Sequence, residues 1–300
     1  MLRTGIIALA AAYIVIAPAH AEQDAIKSAS DFNCTTSYPA VAVITNLSTG
    51  LGISQFSYDA TTDNVPPCTG TLPTNPPPVV EYPSNAIPQL AKVLTNSGQC
   101  SGNFIAQNAV ITAAHCVFDR VTKKYATGVR MIPGYQNGDK PYGILDGATV
   151  LTFQGYTTSN MAAHDIAVIK SSGVGLAQIY GLYGMSAYNV ANCSNQAKWY
   201  TEPHYSPQVN NNEAQAGADG PIVACVQGMV ATTLPLLPGS SGSAVIDIYS
   251  RTVFAVHSQY SLSPAGSYNA VLTHAKICAI WAFLDTDQIN GPVANCFAGN

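Results

Sequence analysis

Leu237-Pro238-Gly239-Ser240-Ser241-Gly242-Ser243-Ala244-Val245 is a turn of small residues that runs straight into an apolar, strand-like segment. Clusters of Gly and Ser between apolar runs are ordinarily plain turns. A chemical reading stands beside that one. Ser241 is flanked by Gly239 and Gly242, which allow a backbone tight enough to present a hydroxyl nucleophile. The choice between the two depends on whether the rest of the chain supplies a base and an acid.

Outward from the turn, short apolar runs alternate with Gly, Asn, Asp and Pro, the texture of many short antiparallel strands. Upstream candidates are Leu90 to Leu94, Gly102 to Ala106, Ala109 to Thr112, Gly128 to Ile132, Ala148 to Phe153 and Ile166 to Lys170. Closer to the turn and beyond it come Ile222 to Val226, Ala244 to Ile248, Thr252 to His257 and Asn269 to Leu272. Only near the C-terminus does a helical period hold: Ile277, Ile280, Trp281 and Leu284 fall at i, i+3, i+4 and i+7 behind Thr273 as N-cap. The fold class is therefore all-β, a sandwich or barrel with one terminal helix packed on it.

The N-terminal third reads differently. Arg3, an apolar run from Gly5 to Ala17 and the small-x-small triplet Ala19-His20-Ala21 make residues 1–21 a secretory signal, with the mature chain beginning near Glu22. Residues 22–86 are rich in Thr, Ser, Asn and Pro and end in a Pro-rich linker through Pro66-Pro67 and Pro76-Pro77-Pro78. Prolines at that density break strands and helices. This segment reads as an N-terminal extension or propeptide, with a short strand at Val41 to Ile44, and residues 87–300 as the main domain. A passive spacer is the plainer alternative.

Composition narrows the function. The 300-residue chain is 47% hydrophobic, enough for a sizeable core. Only 9% of residues are charged and the net charge is -4, so no basic run exists to neutralise phosphates, and nucleic acid is a poor partner. No apolar run after the signal approaches the roughly 20 residues that span a bilayer. Eight cysteines in an exported chain fit an oxidising compartment, either periplasmic or fully secreted. No Cys-x-x-Cys pair occurs, which argues against a structural zinc site.

Two further fragments complete the chemistry. Thr112-Ala113-Ala114-His115-Cys116 sets a His just after a strand, and His164-Asp165-Ile166-Ala167 sets an Asp at the start of one. Alone, each residue is ordinarily structural. Together with Ser241 they supply a nucleophile, a base to take its proton and an acid to orient the base.

These residues resemble the chymotrypsin-fold, trypsin-like serine proteases, whose chain order is His, Asp, Ser. Thr112 to Cys116 is similar to the family's His motif and Asp165-Ile166-Ala167 to its Asp motif. Gly239 to Ser243 looks like the Ser motif in the form seen in the glutamyl-endopeptidase-like branch, and Tyr142-Gly143 before the Asp motif and the final helix also look like that branch. The resemblance covers roughly Ile87 to Leu284. It implies two antiparallel six-stranded β-barrels with a C-terminal α-helix, and a secreted or periplasmic zymogen-derived endopeptidase acting on protein or peptide substrates. It implies a monomer with no cofactor, no metal and no membrane attachment once the signal is removed. It also implies a disulfide between Cys100 and Cys116. For the remaining cysteines, proximity favours Cys34 with Cys68, Cys193 with Cys225 and Cys278 with Cys296.

By the same resemblance His115, Asp165 and Ser241 are the catalytic residues, and the backbone N–H groups of Gly239 and Ser241 form the oxyanion hole. His257 would contact an acidic substrate side chain, and Ser258 to Tyr260 would pair with the extended substrate backbone. Two features depart from the pattern. Ser240 stands where trypsin carries an Asp that pairs with the newly cut N-terminus, so removal of the 22–86 segment is expected only to unblock or trim the enzyme. The lead-in Thr233-Leu234-Pro235-Leu236-Leu237 replaces the small hydroxyl residues of the glutamyl-specific branch, which leaves a purely structural His257 open. His164, His204 and His274 carry no motif and read as surface or loop residues.

Two rival functions remain. A lipase or esterase requires Gly-x-Ser-x-Gly before a helix with the acid and His after the Ser; here the fifth residue is Ser243, a strand follows, and His115 comes first. A protease-like binding module would need no intact triad, which this chain has.

Overall fold

The structure is a computed structural model and describes residues 40–58, 81–84, 86–173, 181–188, 193, 199–207, 209–226, 228–233, 238–262 and 265–284. The expected signal at 1–21, the Pro-rich stretch 59–80, the lead-in 234–237 and the pairings Cys34–Cys68 and Cys278–Cys296 involve residues outside these.

The first half of the chain forms β1 (Val41–Asn46), β2 (Gly52–Ser57), β3 (Glu81–Pro83), β4 (Leu90–Thr95), β5 (Gly98–Ala106), β6 (Ala109–Thr112), β7 (Phe118–Asp119), β8 (Lys124–Tyr125), β9 (Arg130–Pro133) and β10 (Leu145–Phe153). A single helical turn, α1 (Gln154–Thr157), then leads to β11 (Ala167–Ser171). The strand order β11-β6-β5-β4-β9-β10 closes on itself through a β11–β10 pairing, giving a six-stranded antiparallel barrel. Closure leaves no open edge within the ring.

The second half contributes β12 (Gly184–Met185), β13 (Trp199–Thr201), β14 (His204–Tyr205), β15 (Gln215–Val226), β16 (Met229–Thr232), β17 (Ala244–Asp247), β18 (Thr252–Leu262) and β19 (Ala265–Val271). Here the order β18-β17-β13-β15-β16-β19 closes through β18–β19 into a second six-stranded barrel, with β12 beside β18 and with β3 and β14 on β15. Both barrels expected from the resemblance are thus present. Every strand foreseen in the main domain lies within or overlaps an observed one, whereas two- to four-residue strands such as β12, β14 and β16 are too short to carry a readable alternation.

The stretch Val41 to Ser57, read from composition as part of an extension, is built onto the first barrel. Five residues of β1 pair with β10, and β2 pairs with β1 on its far side. Ala42 and Ile44 of β1, with Leu47 just after it, lie in the core. Its run of four apolar residues seats it there: Ala42 and Ile44 are buried, and Val41 and Val43 between them are half-buried.

The C-terminal helix α2 (His274–Leu284) runs as predicted. Thr273 Oγ1 accepts the backbone N–H of Lys276 at 3.3 Å, the N-cap contact expected of it. Ile277, Ile280 and Phe283 are buried in the same core as Ala244 and Val256, so the helix braces the barrel that carries the Ser241 turn. Among the described residues the disulfides Cys100–Cys116 and Cys193–Cys225 are formed, both as expected. His164 and His204 correct the sequence reading. They are 1% and 0% exposed, the first packed on Gly155 and the second with Nδ1 2.7 Å from the carbonyl of Glu202. Histidine is amphipathic, and without a motif around it sequence gives no sign of burial.

Candidate active site

His115 and Asp165 are 50 residues apart, and sheet register unites them. β6 pairs with β11 so that Thr112 faces Ala167, which puts the turn after β6 beside the turn before β11. His115 lies in a single 3-10 turn, Ala114–Cys116, and Asp165 directly follows another, Ala162–His164. Asp165 Oδ2 stands 2.7 Å from His115 Nδ1, and its Oδ1 accepts the backbone N–H of His115 at 2.8 Å. Ser258 Oγ, from β18 of the other barrel, donates to Oδ2 at 2.6 Å.

Burial pushes the Asp165 carboxyl up, but His115 and these donors outweigh it and leave Asp165 below its usual value. A charged, fixed carboxylate against Nδ1 places the ring's N–H there and turns Nε2 the other way. Sequence reading had Ser258 only as part of a substrate strip. Its bond to Asp165 was not legible, because no spacing relates a residue of β18 to the 162–165 turn.

The Ser241 turn is laid against the same strand end. Gly242 has φ +84°, and a Cβ there would come within 2.1 Å of Thr112 Oγ1 and 2.8 Å of the Ala113 nitrogen. Only glycine permits this approach. Ser101 of β5 holds the turn twice: its backbone N–H donates to the Ser241 carbonyl and its Oγ to the Gly239 carbonyl, each at 2.8 Å. The N–H groups of Gly242 and Ser243 bond inward, to the carbonyls of His257 and Ser240. Gly239, at φ +105°, packs on Asn212, whose neighbour Glu213 pairs with Lys92 of the first barrel at 2.7 Å. Ser241 itself is 2% exposed, on a turn bonded from both barrels.

The remaining expected residues lie on β18. His257 is 1% exposed and its Nδ1 lies 3.3 Å from Asn269 Oδ1; Ser258 and Tyr260 are buried at 0% and 9%. Burial, with the neighbouring His115 and His204, holds the His257 ring down at about 3, so it is uncharged at neutral pH. Sequence reading missed Glu202 altogether. It is fully buried beneath the turn, accepts Ser243 Oγ at 2.7 Å, and burial pushes its carboxyl up to about 8. The one available signal was an acidic residue two positions after the aromatic pair Trp199-Tyr200 in a chain poor in charge.

The trypsin family model matches residues 79–221. A Glu endopeptidase solved in complex with MPD superposes with TM-score 0.59 at 18% identity, over 68% of this chain and 95% of that one. The protease Anisep from Arthrobacter nicotinovorans does so with TM-score 0.54 at 19% identity, over 64% and 93%. An extracellular metalloprotease of Bacillus subtilis (strain 168) is 30% identical over 95 residues, 31% of this chain and 30% of that protein. The aligned stretch thus spans less than a third of that relative.

A metal does not suit the residues here. Cys100, His115 and Cys116 bring ligand atoms within 4.8 Å of one another, but the two sulfurs are bonded to each other and His115 Nδ1 faces Asp165. Thiolates, not disulfide sulfurs, bind metals. The trypsin-model match over residues 79–221, just under half of the chain, and the shared double-barrel architecture support a chymotrypsin-fold, trypsin-like serine protease.

Proposed function

We propose that the chain is an exported serine endopeptidase that cleaves peptide bonds through His115, Asp165 and Ser241, with a preference for acidic side chains before the scissile bond. The observation that carries the reading is the buried His115–Asp165 pair at 2.7 Å, with the Gly-flanked Ser241 turn packed onto the strand end that bears His115.

Ser241 Oγ attacks the substrate carbonyl as His115 Nε2 takes its proton. Asp165 stays ionised, fixes the ring and stabilises the imidazolium. The N–H groups of Gly239 and Ser241 receive the carbonyl oxygen as it becomes negative, a contribution of about 2.7 to 4 kcal/mol for one donor. His115 returns the proton to the departing amine and an acyl-enzyme forms. Water, deprotonated by the same ring, then releases the acid and regenerates the hydroxyl. The backbone of Ser258 to Tyr260 adds the extended substrate as a strand. His257, immediately before that strip, supplies the contact to an acidic side chain, and the likeness in fold to a Glu endopeptidase supports this assignment. Two disulfides support export. Among the described residues no helix is long and apolar enough to cross a membrane.

The test is fluorophosphonate labelling and casein cleavage by the full chain and by Ser241→Ala. Loss of both in the variant is expected. Labelling without cleavage of any peptide would point to an esterase, and no labelling of a folded wild-type chain would point to a binding module.

A further inference from the structure

Among the described residues, Gly239 is hydrogen-bonded on one side only. Ser101 Oγ donates to its carbonyl at 2.8 Å, whereas no hydrogen bond from a described residue reaches the Gly239 N–H or the Pro238 carbonyl. Gly239 sits at φ +105°, and rotation of the Pro238–Gly239 peptide by about half a turn would carry it to the negative φ that most residues adopt. That rotation exchanges the N–H for the Pro238 carbonyl oxygen. The proposed oxyanion hole would lose one of its two donors and gain an acceptor in its place.

What stands against the rotation is packing. A Cβ on Gly239 would meet Oδ1, Cγ and Nδ2 of Asn212, all within 3.3 Å, so the Asn212 amide fills the side of the glycine that a side chain would otherwise take. Asn212 Oδ1 is buried and has no hydrogen-bond partner among the described residues. A buried acceptor without a partner is rare in native proteins. No bond to Oδ1 sets the amide in this place; the backbone beneath it does.

That backbone is held from both barrels. Asn210, Asn211 and Asn212 lie at φ +47°, +51° and +66°, a left-handed turn that asparagine tolerates better than most non-glycine residues. The Asn212 N–H donates to the Ser206 carbonyl at 3.0 Å. From the first barrel, Asn137 grips the turn at either end: its Oδ1 accepts Asn210 Nδ2 at 2.6 Å, and its N–H donates to the Glu213 carbonyl. The Glu213 carboxylate takes the buried Lys92 Nζ at 2.7 Å and the Tyr135 hydroxyl.

We propose that Asn212 is a positioning residue of the oxyanion hole: clasped by the first barrel, its amide wedges Gly239 so that the Gly239 N–H stays turned into the hole. It acts through Gly239 and not on the reacting atoms. Ser101 and the clasp both belong to the first barrel and both end on Gly239, so the barrel interface shapes the hole as well as joining Ser241 to His115. The inference rests on the serine protease reading above and is independent of the acidic preference.

The test compares the wild-type full chain with Asn212→Gly. Glycine keeps the left-handed backbone accessible and removes only the amide. Both are assayed for kcat and KM on peptide substrates, with active sites titrated by fluorophosphonate, and for inhibition by a peptide aldehyde and by the alcohol of the same sequence. The aldehyde adds to Ser241 and places an oxyanion in the hole; the alcohol fills the same cleft without one. Asn212→Gly is expected to lower kcat per titrated site at least about tenfold with KM within about twofold, and to weaken the aldehyde by a similar factor while leaving the alcohol unchanged. Asn137→Gly, which removes the Oδ1 that holds Asn210, is expected to show the same pattern to a smaller extent and serves if Asn212→Gly is insoluble. Unchanged kcat and aldehyde affinity in a variant that melts lower would make Asn212 purely structural and overturn the proposal. Equal weakening of aldehyde and alcohol would overturn it too, because the amide would then act on the cleft and not on the hole. A folded wild type that neither takes the label nor cleaves any peptide would overturn the serine protease reading and this role with it.

Discussion

Gly242 rests on Thr112 so closely that a Cβ on the glycine would fall 2.1 Å from the threonine Oγ1. That Oγ1 is itself fixed, donating to the Ser101 carbonyl at 2.8 Å, and a Gly242 Cβ would stand 2.4 Å from that carbonyl oxygen. Three rigid neighbours and a positive φ converge on one hydrogen-sized space. The contact joins the turn of one barrel to the strand end of the other, and so sets the distance between Ser241 and His115.

Gly242→Ala is accordingly expected to abolish activity. Neither backbone nor side chain can yield without lifting the turn, and misplacement by about 1 Å costs on the order of a hundredfold in rate. Soluble variant should show loss of fluorophosphonate labelling of at least that size and a lower melting temperature. Wild-type labelling rates would contradict the packing described.

The β1–β2 hairpin should be indispensable to the fold. Burial of Ile44 and Leu47 contributes roughly 3 to 6 kcal/mol, comparable with the whole stability of many domains. A chain beginning at Ile87 is therefore expected to be insoluble or to melt far below a chain beginning at Glu22. Thermal unfolding of the two decides it, and equal melting would show that β10 does not need its outer partner.

Stability should decline above neutral pH because of Glu202. Its carboxyl rises from 4.5 to about 8 on folding, so between those values the folded chain keeps a proton that the unfolded chain has released, and stability falls as pH rises. His257 drops from 6.5 to about 3, so stability falls as pH decreases through that window. The opposing slopes offset each other between 4.5 and 6.5, leaving the decline from pH 6.5 to 8 to Glu202 alone. Each pH unit corresponds to about 1.4 kcal/mol, hence about 2 kcal/mol over that interval. Urea unfolding at pH 6.5 and 8 should show this loss in the wild type and its absence in Glu202→Gln.

Lys276 should matter to Asp165, the acid of the proposed triad, although it lies on α2. It is 2% exposed, and its Nζ donates to the Ala163 carbonyl at 2.7 Å and to the Val271 carbonyl at 2.9 Å. Ala163 is two residues before Asp165. Lys276→Met leaves both carbonyls without this donor, at about 1.5 to 3 kcal/mol for a charged hydrogen bond. A lower melting temperature and a reduced kcat with little change in KM are expected. An unchanged kcat would mean that the 162–165 turn is held by its own backbone bonds.

The sequence by itself determined the elements and pointed to the proposed chemistry. Short apolar runs bounded by turn residues, such as Ala109 to Thr112 and Ala244 to Asp247, specified strands, and the period of Ile277, Ile280 and Trp281 specified α2, because these patterns are local. The motifs around His115, Asp165 and Ser241 were legible for the same reason: each is a short stretch whose residue types the chemistry restricts. What only the tertiary structure decided is long-range. The bond from Ser258 to Asp165, the burial of Glu202 under Ser243, its approach to His257 and the seating of β1 on β10 join residues separated by tens of positions. No local pattern encodes such pairs, since they arise from barrel closure and from which faces the strands turn inward. Burial then settled what residue type alone could not, that Glu202 and His257 are both uncharged at neutral pH.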